Sequence, residues 1–242
     1  MQRCIALIPW RSNITLLDKL TDPKVRLWYA QKTVEHGFGK DMLVFHIETE
    51  LHKRQGATVN NFEVSLPPTQ SDITSQIFKD PYVFDFLGTS DPRREIELEQ
   101  KLIDHIQKFL LELGQGFSFV GRQVHLELGD QDFYVDLLFY HLKLRCYVAV
   151  ELKAGEFEPG YVSKLNMYLN VINDTMLHPD DKPSIGLLLV KSKNKLVAEY
   201  ALSGYTNPIG VANRERKIKD SLPENLKASL PTIEEIEREL ED

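Results

Sequence analysis

The sequence predicts an α/β fold in which a mixed sheet is flanked by helices and preceded by a smaller helical region. Two observations indicate this. The first 90 residues carry apolar side chains mainly at helical spacing, interrupted by glycine and proline. After them, a long helical pattern leads into three strand-like runs, and helices and strands then alternate. We therefore predict a helical N-terminal region over residues 1–90 and an α/β domain over residues 91–242.

The N-terminal region is expected to contain at least two helices joined by a short turn. Asp22 and Pro23 are typical of a helix start, because Asp accepts from free amides and Pro suits the first helical position. Glycines at 37 and 39 end this helix, and a second helix is predicted for Asp41–Arg54. A helix-turn-helix or winged-helix arrangement has this pattern, but so do plain helical bundles. DNA binding by this region is left open.

The second region is predicted to begin with a long helix, Arg93–Leu113, that ends at Gly114. Three strands follow with turns short enough for hairpins, so we expect an antiparallel meander within the mixed sheet. The predicted strands are Phe117–Leu128, Phe133–Tyr140, Arg145–Lys153, Ser184–Val190 and Pro208–Ala212, and the further helices are Tyr161–Ile172, Leu196–Leu202 and an acidic Pro231–Asp242.

Composition and charge exclude several classes of protein. The formal net charge of −7 argues against a purely electrostatic nucleic-acid binder, but not against an enzyme that uses carboxylates to hold a metal. The two cysteines are too few for a disulfide framework or a four-thiolate metal site. No apolar run approaches the roughly 20 residues of a membrane helix, and the start lacks a signal-peptide pattern. We expect a cytoplasmic protein that does not contact membranes.

The sharpest chemical signal is a pair of carboxylates inside strands that otherwise look buried. Asp136 and Glu151 lie in apolar runs, where a carboxylate costs several kcal/mol unless it is paired or metal-bound. Because side chains alternate along a strand, Glu151 and Lys153 face the same side. If the two strands pair, Asp136 comes within reach of Glu151, and the acids could hold Mg²⁺ beside a lysine. The plain alternative is an ion pair that involves Lys153.

A third carboxylate lies on the apolar face of the helix over 93–113. Glu99 precedes Leu102 and Ile103 by three and four residues, which places it on the buried side. It either serves a site or extends to solvent from the helix end. Glu95 and Glu112 are expected to have easier routes to solvent.

Together these residues resemble the core of PD-(D/E)XK nucleases, and longer strings resemble the YhcG-like family of that superfamily. The strings in the second region are Phe109–Gln123, Asp132–His141, Pro183–Lys195 and Pro208–Ala212, and those in the first are Ile8–Trp10, Trp28–Tyr29 and Asp80–Leu87. The resemblance covers nearly the whole chain. Val135 stands where the superfamily often has proline before the first acid. Family members usually have more sequence before the Ile8–Trp10 string, so this chain is expected to begin inside the N-terminal domain.

The resemblance implies a restriction-endonuclease-like core and a Mg²⁺-dependent nuclease, with Mn²⁺ as an alternative metal and DNA as the expected substrate. It assigns Asp136 and Glu151 as metal ligands, Lys153 as the residue beside the attacking water, and Glu99 as the helix carboxylate that completes the site. The sequence does not decide between DNA and RNA, or between endonuclease and exonuclease action. Cleavage of two strands often uses two active sites, which would suit a homodimer.

Weaker candidates for contacts with nucleic acid lie on other elements. Side chains alternate along a strand, so at most one of the neighbours Arg122 and Gln123 can face the site. The resemblance favours Gln123. Lys164 and Tyr168 share a helix face after the Glu151 strand, although ordinary surface placement also explains each of them. The lysines at 191, 193 and 195 form a basic run that either contacts phosphates or is a solvated turn.

Two other functions remain open at this point. One is a non-catalytic module that binds nucleic acid or protein on a retained nuclease fold. The other is an ion-paired scaffold that binds protein partners. The acidic set with its lysine favours the enzyme, since a purely structural descendant has no need of it.

Overall fold

The computed structural model describes residues 2–84 and 106–215, together with positions 96, 99, 102 and 103. The helices are α1 (Gln2–Leu7), α2 (Trp10–Lys19), α3 (Pro23–His36), α4 (Lys40–Glu48), α5 (Leu51–Arg54), α6 (Phe62–Ser65), α7 (Pro68–Ile77), α8 (Ile106–Leu113), α9 (Gly160–Thr175) and α10 (Lys195–Leu202). The strands are β1 (Val59–Asn60), β2 (Tyr82–Val83), β3 (Phe117–Leu128), β4 (Gln131–His141), β5 (Cys146–Leu152), β6 (Ile185–Val190) and β7 (Ile209–Glu215). In this part of the chain, no helix is both long and apolar enough to cross a membrane.

The N-terminal helices form where the sequence predicts them, with one difference. The Asp22 side chain accepts a hydrogen bond from the amide of Lys24 (2.7 Å), and Gly37 ends α3 in the left-handed conformation. The single helix predicted over Asp41–Arg54 is wrong, because the chain breaks at Glu50, whose φ is 50°. That break separates α4 from α5 and turns Arg54 toward the second region.

The sheet is mixed and runs in the order β1-β7-β6-β5-β4-β3, with β2 also paired to β7. Strands β3, β4 and β5 are antiparallel neighbours, which confirms the predicted meander. Strands β5, β6 and β7 are parallel. Such parallel pairs need crossover connections, and α9 and α10 supply them. The predicted α/β fold with a mixed sheet is thereby confirmed.

Both faces of the sheet are covered, as a sheet with parallel strands requires. On β5, Val148, Val150 and Leu152 face a core that includes Phe109 of α8, whereas Ala149 faces the core under α9. Gly186 of β6 lets α9 approach closely, because a Cβ there would lie 2.8 Å from the Leu165 side chain. The close approach of α9 also fixes the height of the neighbouring Lys164 above the sheet.

Residues well before position 91 also form part of the sheet. Strands β1 and β2, which the sequence does not predict, pair with β7. Phe62, Phe78 and Tyr82 are fully buried in the same core as the α8 side of the sheet. The division at residue 90 remains a prediction, and the contacts show that residues 59–84 pack as part of the α/β core. The proposed helix Pro231–Asp242 lies outside the described residues.

A buried ionic cluster joins α5 to α8. Arg54 Nη1 lies 2.6 Å from Glu112 Oε1, which also accepts from the amide of Val83 at 2.8 Å. Lys79 Nζ donates to the carbonyl of Glu112 and lies 3.8 Å from its Oε2. The expectation that Glu112 reaches solvent is wrong, since it is 2% exposed. Its position next to the last residue of α8 lets it meet a partner from a distant part of the chain.

We predict that Glu112→Ala destabilises the protein by about 3–5 kcal/mol, because it leaves the buried Arg54 and Lys79 charges without their carboxylate. Chemical unfolding measures the change in free energy. Glu199→Ala is the control, since its pair with Lys195 (3.8 Å) is exposed and should contribute less than about 1 kcal/mol. Equal stability of the two variants would show that the cluster does not hold α5 to α8.

Candidate active site

The pairing of β4 with β5 brings Asp136 and Glu151 together. Leu137 pairs with Val150, so Asp136 stands opposite Glu151 at the end of the ladder. The Asp136 amide lies 3.4 Å from Glu151 Oε1, and Asp136 Oδ2 accepts from the Leu152 amide at 2.8 Å. The predicted proximity of the two carboxylates is therefore found in the structure.

Glu151 is a buried carboxylate whose negative charge is only partly compensated by neighbouring groups. It is 1% exposed, and its Oε2 lies 3.6 Å from Lys153 Nζ and 3.6 Å from Lys164 Nζ. Among the described residues, this oxygen has no hydrogen-bond partner. Burial, and next the nearby Asp136 charge, raise the pKa of Glu151 to about 7, against the opposing effect of the two lysines.

Glu99 completes the acidic set from a helical position that precedes α8 in the chain. It is 7% exposed, and its Oε2 accepts from Gln123 Nε2 at 2.7 Å. The same Gln123 nitrogen lies 3.4 Å from Asp136 Oδ1. Burial, followed by the Asp136 charge, raises the pKa of Glu99, while the Gln123 hydrogen bond and the charge of Arg122 act the other way. Glu99 thus belongs with the strand carboxylates, as the sequence predicts.

The two lysines near Glu151 differ in exposure. Lys153 is buried and donates to the carbonyl of Leu152 (3.0 Å), and its Nζ lies 5.4 Å from the centre of the Tyr161 ring. The side chain of Lys164 is 47% exposed, and its Nζ lies 5.2 Å above the Tyr168 ring. Burial lowers the pKa of Lys164, but Glu151 and Tyr168 raise it more, so the net shift is upward.

Several predicted nucleic-acid contacts look different in the structure. Tyr168 is 2% exposed, so it supports Lys164 from below and does not present its ring to a ligand in this conformation. Lys193 is buried in an ion pair with Asp80, which in turn accepts from the Asn213 amide. Lys193 therefore belongs to the packing of β7 rather than to a surface for phosphates.

Sequence reasoning missed two features of the site. The Leu152 amide orients Asp136, and no sequence pattern reports a backbone donor. The contact of the Tyr161 ring with Lys153 could be predicted only in part. The sequence places Tyr161 at the start of the helix that follows the Glu151 strand, but it does not show which way the ring faces. The Gln123 side chain lies against Glu99 and Asp136, and its contact with nucleic acid stays a prediction.

The donor set fits one hard divalent cation. In the described part of the chain, no three or more His, Cys, Asp and Glu side chains converge as a ready cage. Mg²⁺ does not require such a cage, because it commonly binds through one or two carboxylates and completes its shell with water and substrate phosphate. Asp136 and Glu151 supply two carboxylates, and Glu151 Oε2 is a buried oxygen that accepts no hydrogen bond within the described residues, although two lysine nitrogens lie 3.6 Å from it.

A separate cavity lies near the end of α8. It has a volume of about 620 Å³ and lies between the α3–α4 turn and the end of α8, lined by residues such as Phe38, His46 and Leu113. None of the predicted catalytic residues lines it. The acidic set instead lies at the paired ends of β4 and β5, with the half-exposed Lys164 beside Glu151.

Comparison with known sequences identifies the family. The YhcG PDDEXK nuclease domain matches residues 75–231, which is more than half of the chain. The chain belongs to the YhcG PDDEXK nuclease family. The Escherichia coli (strain K12) protein named "Putative nuclease YhcG" is 34% identical over 213 residues, which cover 87% of this chain and 57% of that protein. This YhcG-family chain therefore spans little more than half the length of that relative.

Two solved structures share limited likeness with this YhcG-family chain. A repair endonuclease from Pyrococcus abyssi aligns with a TM-score of 0.36 and 15% identity, over 54% of this chain and 49% of that one. An EndoMS–dsDNA complex aligns with a TM-score of 0.35 and 17% identity, over 55% of this chain and 48% of that one. Likeness at this level carries no argument about the fold or the site of this chain.

We predict that Glu151→Gln stabilises the protein above neutral pH when divalent cations are removed with a chelator. The folded-state pKa of about 7 lies above the ordinary 4.5, so the wild type loses stability as pH rises through this window. The variant cannot ionise, and its advantage should reach a few kcal/mol at pH 8 and vanish below about pH 4.5. Melting curves from pH 4 to 8 measure it, with the exposed Glu127→Gln as control. A constant difference across this range would contradict the assigned burial of charge.

Proposed function

We propose that this chain is a divalent-metal-dependent nuclease that hydrolyses phosphodiester bonds in nucleic acid, with DNA as the substrate. The observation that carries the proposal is the convergence of Asp136, Glu151 and Lys153 at the paired ends of β4 and β5, with Glu99 beside them. Family membership supports the reaction class. DNA is chosen on the family resemblance, and RNA is the alternative that the assay includes.

The charge of the site supports the need for a cation. A phosphodiester carries a negative charge, and it would meet three carboxylates in a chain whose net charge is −7. Repulsion between like charges opposes that approach. Asp136 and Glu151 would hold Mg²⁺, with Mn²⁺ as a substitute. When bound, the ion would supply positive charge against the charge that develops on the phosphate.

The chain's own residues have distinct tasks in this proposal. Lys153 would keep an attacking water in place and stabilise negative charge on it, since its ammonium is fixed by the Leu152 carbonyl and the Tyr161 ring. Glu99 would accept a hydrogen bond from that water or from a neighbouring one. Lys164 is half-exposed at the margin, where it would contact a phosphate of the substrate.

We predict that Glu151→Ala and Lys153→Ala each reduce Mg²⁺-dependent cleavage by about 10²-fold or more, because each removes a group that acts on the reacting centre. Glu151→Ala should keep its fold, since it removes one of several crowded acids. Lys153→Ala should keep its affinity for Mg²⁺, because an ammonium is not a metal ligand. Nicking of supercoiled DNA and cleavage of labelled RNA, with and without Mg²⁺, measure the activity.

Lys143→Ala is the matched control for the lysine variant, since Lys143 is exposed in the turn between β4 and β5, at the other end of their ladder from Asp136 and Glu151. The scaffold alternative predicts a different pattern. Removal of either member of a buried ion pair would destabilise the fold, and the wild type would cleave neither substrate. That combination would reject the nuclease proposal and favour a non-catalytic module.

Metal binding is expected to depend on Asp136. We predict that Mg²⁺ raises the melting temperature of the wild type and that Asp136→Ala abolishes most of this effect, because ligands that bind the folded state stabilise it by mass action. Isothermal calorimetry gives the affinity directly. Asp132→Ala, on the same strand but exposed and beside His125, should bind as the wild type does. Equal binding by the Asp136 variant would remove Asp136 from the ligand set.

A further inference from the structure

Gln123 occupies a backbone conformation that its position in a strand does not explain. Its φ is 44°, in the left-handed region, although it lies inside β3. The flanking pairs Arg122–Leu137 and Val124–Val135 hold it opposite Asp136. A residue with a side chain pays a conformational cost there that glycine would avoid. Strain of this kind persists where the surrounding structure enforces it, and it often marks a functional position.

The left-handed backbone at Gln123 places its side chain against two acids. Gln123 Nε2 is 2.7 Å from Glu99 Oε2 and 3.4 Å from Asp136 Oδ1. One carboxamide nitrogen thus faces two acids that come from different elements, a helical turn and a strand. We propose that Gln123 is a positioning residue that holds the Glu99 carboxylate beside Asp136, an inference that rests on the proposed nuclease function.

The chemistry of the carboxamide suits this task better than a charged group would. An amide NH₂ group has two donors and no net charge, so it can bond both acids without neutralising either. Glu151, in contrast, lies within 3.6 Å of two lysine nitrogens. The amide therefore opposes the repulsion between Glu99 and Asp136 while it leaves their negative charge available to a divalent cation.

Two acids of the set are therefore held in place by different groups. Backbone pairing fixes Asp136 against Glu151 through the Leu152 amide. Among the described residues, the hydrogen bond from Gln123 is the one that links the Glu99 carboxylate to a strand. Loss of the amide donors should let Glu99 turn away from Asp136 while the sheet remains as it is.

Gln123→Met tests this directly, because methionine keeps the length and the neutral charge but lacks the N–H donors. We expect cleavage to fall about 10–100-fold, the usual range when a side chain that contacts a metal ligand, here Asp136, loses its donors. Gln131→Met, at the exposed start of β4, is the matched control and should cleave as the wild type does. A Gln123→Met protein that cleaves within threefold of the wild type overturns the proposal.

Gln123→Gly separates positioning from folding. Glycine relieves the left-handed strain, so this variant should melt at or above the wild-type temperature and still lose cleavage to the same extent as Gln123→Met. If Gln123 served only the stability of β3, the glycine variant would melt several degrees lower, and the positioning role would be rejected.

A double-mutant cycle tests whether Gln123 acts through Glu99. In a Glu99→Gln background, Gln123→Met should cause less than a threefold further loss, because the carboxylate it positions is already gone. An undiminished loss in that background overturns the proposal. If the wild type itself shows no Mg²⁺-dependent cleavage, the proposed function fails. If the wild type cleaves and Gln123→Met cleaves equally well, only this inference fails.

Discussion

The burial of Glu151 at the end of β5 is the constraint on which the site depends. A carboxylate that is 1% exposed requires compensating charge or hydrogen bonds, and here both come from several elements. The sheet register supplies the Asp136 amide, β5 continues into Lys153, and α9 brings Lys164. The close packing of α9 on Gly186 is thus linked to the electrostatics of Glu151, because it sets where Lys164 can reach.

The buried carboxylate Glu112 forms a structural ion pair whose geometry differs from that of Glu151. Glu112 Oε1 accepts from Arg54 at 2.6 Å and from the Val83 amide at 2.8 Å, both short bonds. Glu151 Oε1 receives one amide at 3.4 Å, and two ammonium groups lie 3.6 Å from its Oε2. Among the described residues, the Oε2 atom of neither carboxylate has a hydrogen-bond partner, so the difference lies at Oε1. Two short bonds compensate Glu112 there, whereas Glu151 has one long amide contact and a pKa near 7.

Much of the α/β core could be predicted from the sequence, because its strands are apolar runs with clear turns between them. The predicted Phe117–Leu128 strand agrees with β3, and the pairing of Asp136 with Glu151 follows from a meander of these lengths. Features set by tertiary contacts could not be predicted. The break at Glu50 and the strands β1 and β2 lack a periodic signal, since two paired residues are too few to show one. Glu112 appeared exposed because its partner Arg54 lies 58 positions away in the chain.

The local geometry of the site was also beyond sequence patterns. Alternation indicated that at most one of Arg122 and Gln123 faces the site, and the family resemblance favoured Gln123. Neither indicated that its backbone would adopt a left-handed conformation to reach Glu99. The helical spacing of Lys164 and Tyr168 indicated a shared face, but not that the ring would be buried beneath the ammonium. Each of these depends on packing between elements that are distant in sequence, which periodicity does not report.

The central claim is that Asp136 and Glu151 together hold one divalent cation at the junction of β4 and β5. A crystal structure of the protein grown with Mn²⁺, with anomalous scattering measured for manganese, tests this most directly. The account predicts a single strong anomalous peak about 2.0–2.3 Å from carboxylate oxygens of both residues, as expected for a hard cation bound by oxygen. A structure at saturating Mn²⁺ with no peak at this junction, and with Lys153 and Lys164 still against Glu151, would contradict it.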